Sequence, residues 1–141
     1  MLSLVPDEIQ SLASLETLAM AFNKLMALPG TMFLMTSLTK LSMIGNPLIS
    51  PPAELMNLPF PAPLSYLERV HTSRQTDQLD LSAFMLTSVP LVVPSLTNIE
   101  EVRMVENRLR DIPGTVRTLR MLQRVDFSEN ALQSLPQSLK G

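Results

Sequence analysis

The chain has 141 residues, enough for one domain, and its formal net charge is −2. It contains no cysteine, which excludes thiolate chemistry and thiolate metal sites and favours a reducing, intracellular compartment. Only 17% of its residues are charged and no basic stripe carries interleaved aromatic residues, so we expect no nucleic-acid partner.

The N-terminal segment lacks the basic start and long apolar run of a signal peptide. Proline, threonine, serine and asparagine interrupt the uncharged stretches, so none of them predicts a membrane span. We therefore expect a cytoplasmic protein. Residues 2–9 match the second half of the repeat described next, and the chain stops at Gly141, just after the last Leu position, Leu139, with no distinct closing element. We expect it to be incomplete at both ends, as a fragment, an internal-start product or a chain whose ends rest on an assembly.

The dominant pattern is a repeat of 23 residues. It separates Asn23 from Asn46, and Asn107 from Asn130. Before each Asn comes the pattern L-x-x-L-x-x-L-x-L, separated from the Asn by two residues. After the Asn and one further residue comes L-x-x-L-P-x-x-L. Met, Val, Ile, Phe or Pro replaces Leu at some of these positions. Self-similarity at this period predicts a stacked solenoid.

Within each repeat the short L-x-L piece alternates as a strand does. Leu18 and Met20 are predicted to face inward, and Thr17 and Ala19 outward. Successive repeats then place these strands side by side. The sequence therefore predicts an α/β solenoid with a parallel concave sheet of about five short strands, around residues 18, 41, 79, 102 and 125. Short helical or extended return segments should follow each L-P step.

The fixed Asn is expected to satisfy backbone groups that the bend leaves buried, because its side-chain amide both donates and accepts hydrogen bonds. Phe84 occupies this position in the middle repeat and cannot replace those bonds; we expect it to stack instead. The Leu, Val, Ile and Met positions are interpreted as core, and a Met-rich binding surface is the alternative.

A 38-residue interval separates Leu41 from Leu79, longer than the repeat. Ser65 and Glu68 have capping-box spacing and follow several prolines, which predicts a helix near residues 65–75. We predict one domain over 1–141, with first repeats at 1–57, a helical insertion at 58–77 and later repeats at 78–141. Alternatively, 58–77 separates two short repeat blocks.

These repeats resemble the leucine-rich-repeat family, specifically the intracellular class whose 23-residue units end in L-P-x-x-L. That class includes the Ras-scaffold leucine-rich proteins, the plant intracellular Ras-group leucine-rich proteins and the repeat domains of Roco-type GTPases. The resemblance covers nearly the whole chain. It implies a protein-binding fold without naming a partner, because the class serves many partners.

No catalytic constellation is visible in the sequence. His71 is the only histidine, no phosphate-binding loop occurs, and the four glycines are too dispersed for a glycine-rich loop. We therefore expect no enzyme activity, no cofactor and no metal.

The outward strand positions are the candidate partner-binding residues, because they would line the concave face. Some of these positions are apolar and others form charged columns, such as Asp80-Arg103-Asp126. The charges of this column either neutralise one another as surface ion pairs or form the charged half of a binding site. The four arginines at 108, 110, 117 and 120 are interpreted as a solvated outer face, or as a surface for an acidic partner. The predicted partner-binding set is Ala19, Phe22, Lys40, Ile44, Asp80, Glu101, Arg103, Arg124, Asp126 and Glu129.

The sequence favours a protein–protein interaction scaffold in signal transduction that binds a protein partner through the concave strands. One alternative is the repeat segment of a larger signalling enzyme, such as a kinase, cyclase, phosphatase or GTPase. Another is a structural subunit of a large assembly. The sequence leaves the partner and the oligomeric state open.

Overall fold

The computed structural model describes residues 1–134 and gives an α/β chain. It has one α-helix, α1 (Ala62–Thr76), and five strands of three residues each. The strands are β1 (Thr17–Ala19), β2 (Lys40–Ser42), β3 (Gln78–Asp80), β4 (Glu101–Arg103) and β5 (Arg124–Asp126). Short 3₁₀ helices cover Asp7–Ser11, Gly30–Leu34, Ala53–Asn57, Val93–Ser95 and Gly114–Thr118.

All strand pairs are parallel, and the strands lie where the repeat predicts them. Leu18 is opposite Leu41 in a two-stranded sheet, and Leu79, Val102 and Val125 are in register across a three-stranded sheet. The prediction of a single sheet of about five strands is not confirmed, since the pairing is two plus three. The physical reason is the longer interval between β2 and β3, which contains the 15 residues of α1.

The chain divides into two compact units within α1. Unit 1 comprises Met1–His71 and unit 2 comprises Thr72–Gly141. The division falls inside the segment 58–77 that interrupts the repeats. Each unit contains one of the two sheets, and each is described separately below.

Helix α1 confirms the predicted helix near residues 65–75, although it begins earlier than predicted. The amides of Leu64 and Ser65 both donate to the carbonyl of Pro61, at 2.9 and 3.0 Å. Ser65 is therefore already inside the helix, and the predicted capping role of Ser65 with Glu68 is wrong. Prolines suit this first turn because its amide groups have no partner within the helix. The apolar residues that α1 buries are Leu64, Tyr66, Leu67 and Val70.

Most Leu-type positions form the core, as predicted. Leu2, Leu12 and Val125 also occupy such positions but are more than half exposed, and Met20 is half-buried. Met32, Met35, Met43 and Met104 stand at Leu positions and are all buried, so for them the core interpretation is confirmed over a Met-rich surface. Phe84 is buried as well.

The return segments are short 3₁₀ helices. Within residues 1–134, all of them except Val93–Ser95 start directly after a proline. The carbonyls of Pro29 and Pro113 accept hydrogen bonds from the amides of Met32 and Val116, at 3.1 and 3.0 Å. Both donors belong to buried residues, so each L-P step turns the chain and directs an apolar side chain into the core. The corresponding step after Pro136 lies outside the described residues.

In unit 1 the repeat asparagines join successive turns. Asn46 accepts a hydrogen bond from the amide of Leu25 through Oδ1, at 3.0 Å. Its Nδ2 donates to the carbonyls of Met20, at 2.8 Å, and Met43, at 2.9 Å. One side chain thus binds its own turn and the preceding turn. Asn23 accepts from the amide of Leu2 at 2.8 Å, and its Nδ2 donates within its own turn, to the carbonyls of Met20 and Ala21.

Unit 2 repeats this arrangement. Asn107 accepts from the amide of Leu86 at 2.9 Å and donates to the carbonyl of Leu81 at 2.8 Å. Asn130 accepts from the amide of Leu109 at 3.0 Å. The expectation that the four asparagines satisfy backbone groups at the bend is therefore confirmed.

Replacing Asn107 with alanine tests how much this side chain stabilises unit 2. The substitution leaves the Leu86 amide and the Leu81 carbonyl without their partner, so we expect the free energy of unfolding to fall by about 2–3 kcal/mol in urea titrations. The matched control is Asn98→Ala, because Asn98 is exposed. We expect this control to change stability by less than about 0.5 kcal/mol. Equal losses for the two variants would contradict the role of Asn107.

Candidate interaction surface

The residue just before each repeat Asn, and before Phe84, has a left-handed backbone. The φ angles of this column lie between 55° and 73°. An L-residue with a side chain loses roughly 1–2 kcal/mol in this conformation, and glycine avoids the loss. The repeat aligns these five positions in sequence, but only one of them is glycine, so the sequence did not predict their left-handed backbone. The column is Phe22, Gly45, Ala83, Glu106 and Glu129.

Phe22 and Gly45 occupy adjacent turns of this column in unit 1. A Cβ atom placed on Gly45 would lie 2.5 Å from Cδ1 of Phe22, so the ring fills the space above the glycine. The Phe22 amide donates to the carbonyl of Ile44 at 2.7 Å. The side chains of Phe22 and Ile44 are nevertheless 71% and 69% exposed. The sequence contains the signal for this arrangement, a glycine 23 residues after an aromatic residue.

We define the unit 1 strand face by four predicted binding residues that unit 1 contains: Ala19, Phe22, Lys40 and Ile44. All four are exposed. Ala19 lies at the end of β1 and Lys40 at the start of β2, and the two strands are hydrogen-bonded neighbours. This face is apolar except for one ammonium group.

Gly45→Ala tests the contact between the ring and the glycine. We expect it to lower the free energy of unfolding by about 1–2 kcal/mol for the left-handed backbone, plus a smaller loss for displacing the ring. In a Phe22→Ala background only the backbone loss should remain, as measured by urea unfolding of all four proteins. Gly114→Ala is the control, because φ at Gly114 is not positive. If Gly45→Ala destabilises both backgrounds equally, the ring does not occupy this space.

The unit 2 strand face carries charges arranged in rows across β3, β4 and β5. One row aligns Gln78, Glu101 and Arg124, and the next aligns Asp80, Arg103 and Asp126. Arg124 Nε lies 3.3 Å from Glu101 Oε2, which forms an ion pair. Because the arginine side chain is 71% exposed, this pair contributes under about 1 kcal/mol to stability.

Asp126 is held mainly by a neighbouring serine. Its Oδ1 accepts hydrogen bonds from the Ser128 hydroxyl at 2.6 Å and from the Ser128 amide at 3.0 Å. These bonds lower the pKa of Asp126, and the charge of Arg103 contributes less to that shift. Asp80 likewise accepts from the amide of Ser82 at 2.9 Å. The Asp-x-Ser spacing shared by β3 and β5 was visible in the sequence, but the sequence reasoning had considered only the alternating charges.

The pKa of Asp126 gives a pH-dependent test. Ser128→Ala removes the hydroxyl donor and keeps the amide donor, so we expect the Asp126 pKa to rise part of the way to its ordinary value. The native bonds lower this pKa, so any stabilisation that they provide is present above the unfolded pKa and is lost as pH falls through the folded pKa. A carbon-13 NMR titration of the carboxyl group measures the shift. Ser88→Ala, at an exposed position in the same unit, is the control; an unchanged Asp126 pKa in Ser128→Ala would contradict the assignment.

The ten predicted binding residues are distributed over both units, four in unit 1 and six in unit 2. Glu101 and Asp126 are half-buried, and the other eight are exposed. In unit 1 the strand pairing places Lys40 opposite Thr17, with Ala19 at the other end of the neighbouring strand. In unit 2 it aligns five of the six predicted residues in two rows, and Glu129 lies beyond the paired strands. Residues 108, 110, 117 and 120, the four arginines outside the strands, are also exposed.

The polar groups within α1 have packing roles. Burial raises the pKa of the Tyr66 hydroxyl, and the nearby Ser50 side chain opposes this shift. The His71 ring lies 5.6 Å from the ring of Phe33 in a tilted contact.

Within residues 1–134, no three potential ligands among His, Cys, Asp and Glu lie together as a metal site requires. In the same part of the chain, every helix falls short of the length and hydropathy that crossing a bilayer requires.

No protein-family model matches the chain, and no curated protein matches it significantly. Among solved structures, the chain is similar to the LRR protein LIC12759 of Leptospira interrogans, with 24% sequence identity and a TM-score of 0.45. The match covers 98% of this chain and 43% of that protein, so the chain spans less than half of its length.

Proposed function

We propose that this chain is a solenoid segment of the intracellular 23-residue leucine-rich-repeat type, and that it acts as a cytoplasmic protein–protein interaction scaffold in signal transduction. Its strand faces bind a protein partner, and it is not an enzyme. The observation that carries the proposal is the exposure of Phe22 and Ile44 side by side on the unit 1 strand face.

The placement of Phe22 supports binding because it does not stabilise the free protein in any evident way. Its ring is mostly in water, and its backbone is in a conformation that disfavours every residue with a side chain. Burying a phenylalanine side chain contributes about 1.5–3 kcal/mol, which a partner covering this face would gain. An aromatic anchor beside a smaller apolar residue is typical of the centre of a protein interface.

The charged residues of unit 2 suit a separate, polar contact on the strand face of that unit. Exposed ion pairs like Glu101 with Arg124 contribute little to folding, yet they select partners because a wrongly placed charge is costly at an interface. Arg103 lies between two carboxylates across the strands and is exposed, so it is available to a partner.

Capture of partner proteins from a cell lysate, quantified by mass spectrometry, tests this function. We expect Phe22→Ala to reduce capture of the specific partner about tenfold or more, as loss of a central aromatic anchor does. Arg103→Glu should reduce capture through charge reversal. Leu34→Ala is the control, because Leu34 is an exposed apolar residue outside the strands.

Crosslink mapping of the captured complex identifies the face that the partner touches. Partner crosslinks near Lys24 and Lys40 are expected, since both lysines are exposed and Lys40 belongs to the unit 1 strand face. If Phe22→Ala and Arg103→Glu both fold and capture the partner as well as the native protein does, the strand faces are not the binding surface.

A further inference from the structure

The exposed apolar residues of unit 1 are concentrated on two neighbouring turns. The Phe22 amide donates to the Ile44 carbonyl, and the Ile49 amide donates to the Met26 carbonyl, both at 2.7 Å. These two bonds place Phe22 beside Ile44 and Met26 beside Ile49, and all four side chains are exposed. Large apolar side chains that are exposed together, rather than singly, indicate a surface that another molecule covers.

The ring of Phe22 is already positioned in the free protein. It lies over Gly45 of the next turn, where an added Cβ atom would be 2.5 Å from its Cδ1. A side chain that is held in place before binding loses less conformational freedom when a partner covers it. The aromatic end of the unit 1 strand face is therefore prepared to receive an apolar group.

Lys40 gives the same face its only charge. Each turn contributes a strand and the residues up to its left-handed position, namely 17–22 and 40–45. These twelve positions contain one lysine and no carboxylate, and the nearest carboxylate before β1, that of Glu16, precedes them. Lys40 and Ile44 are four residues apart, which corresponds to about 13 Å along an extended chain. The face is therefore cationic at one end and apolar at the other.

Two classes of partner match an apolar surface beside a cation: an anionic membrane and an acidic peptide. Charge-driven recruitment to a membrane takes a cluster of roughly four or more basic residues. The two turns supply only Lys24 and Lys40, and the whole chain has a net charge of −2, which anionic lipids repel. A peptide needs a single carboxylate to match Lys40. The charge of this face therefore favours the acidic peptide.

We propose that the unit 1 strand face docks an extended peptide segment of a partner protein that carries an apolar side chain and, four residues away, a carboxylate. The apolar side chain packs on Phe22 and Ile44, and the carboxylate pairs with the ammonium group of Lys40. Charge complementarity selects this occupant, because the face attracts a carboxylate and repels a basic segment. The inference rests on the proposed scaffold function and names the kind of partner that the unit 1 strand face takes.

A nitrogen-15 NMR titration of the full chain with defined peptides tests the proposal. The probe, called the glutamate peptide, is a capped nine-residue peptide of glycine and serine with phenylalanine in the third position and glutamate in the seventh. We expect saturable shifts of the Phe22, Lys40 and Ile44 amides, with a dissociation constant of about 1 mM or tighter. Replacing the glutamate with glutamine or lysine, or the phenylalanine with serine, should weaken binding.

Variants of the face assign each half of the contact. We expect Phe22→Ala to weaken the glutamate peptide about fivefold or more, and Lys40→Gln to weaken it about two- to fivefold. Lys40→Gln should leave the affinity for the glutamine peptide unchanged. Lys40→Glu should lose the glutamate peptide and gain the lysine peptide, a charge exchange that misfolding does not produce. Lys24→Gln is the matched control, because Lys24 is an exposed lysine outside the strands, and its affinity should stay within about twofold of the native value.

Four results would overturn the proposal. The glutamate peptide could fail to bind the native protein, or the glutamine peptide could bind equally well, which would show simple apolar adhesion. Vesicles of phosphatidylserine and phosphatidylcholine could sediment the native chain but not Phe22→Ala, which would assign the face to a membrane. The amides of the face could shift with protein concentration alone, which would assign it to a second copy of the chain.

The outcome is separable from that of the scaffold function. If Phe22→Ala abolishes partner capture from lysate while Lys40→Glu captures normally and the glutamate peptide does not bind, the scaffold function stands and the acidic-peptide inference falls. If the glutamate peptide binds with the predicted order of variants while capture is insensitive to Phe22→Ala and Arg103→Glu, the scaffold function is the part that fails.

Discussion

The structure depends on a side-chain amide, present in every repeat turn except that of Phe84, that bonds to two successive turns. Asn46 shows how it works: Oδ1 receives the Leu25 amide of one turn, while Nδ2 reaches the carbonyls of Met20 and Met43. Aspartate could not supply the donors and leucine could supply neither function, so the amide is chemically specific. These bonds fix where each strand ends relative to its neighbour. The register of the exposed side chains follows from that, because each row on a strand face is set by the same alignment.

The same constraint shapes the exposed surface. To bring the Asn side chain inward just after the strand, the preceding residue adopts a left-handed backbone, as Phe22 and Glu129 do. The interior amide and the exposed residue before it are therefore coupled. Gly45 meets the conformational demand without strain and also leaves space for the Phe22 ring. A position that is costly for the backbone thus becomes the place where an aromatic ring or a carboxylate is presented to solvent.

Periodicity was sufficient to predict local structure but not the grouping of the strands. The five strand positions, the burial of Met32 and Met104 and the bonds of the asparagines follow from a pattern that each repeat satisfies by itself. The division into two sheets does not follow from the repeat pattern, because it depends on how a 15-residue helix occupies the longer interval between β2 and β3. The start of α1 was missed because the Pro61 carbonyl accepts the first helical bonds ahead of Ser65. The bonds from Ser128 to Asp126 were missed because alternating charges on neighbouring strands predict contacts between strands. These bonds instead join two residues that are close in sequence.

The left-handed column has the same backbone geometry in both units and presents different side chains. The column that carries Phe22 in unit 1 carries Glu129 in unit 2, with φ angles of 55° and 56°. A substitution there changes the chemistry of the surface while the asparagine bonds keep the turn intact. This column can therefore vary without disturbing the core, whereas Asn107 cannot be replaced without leaving backbone groups of the preceding turn unpaired.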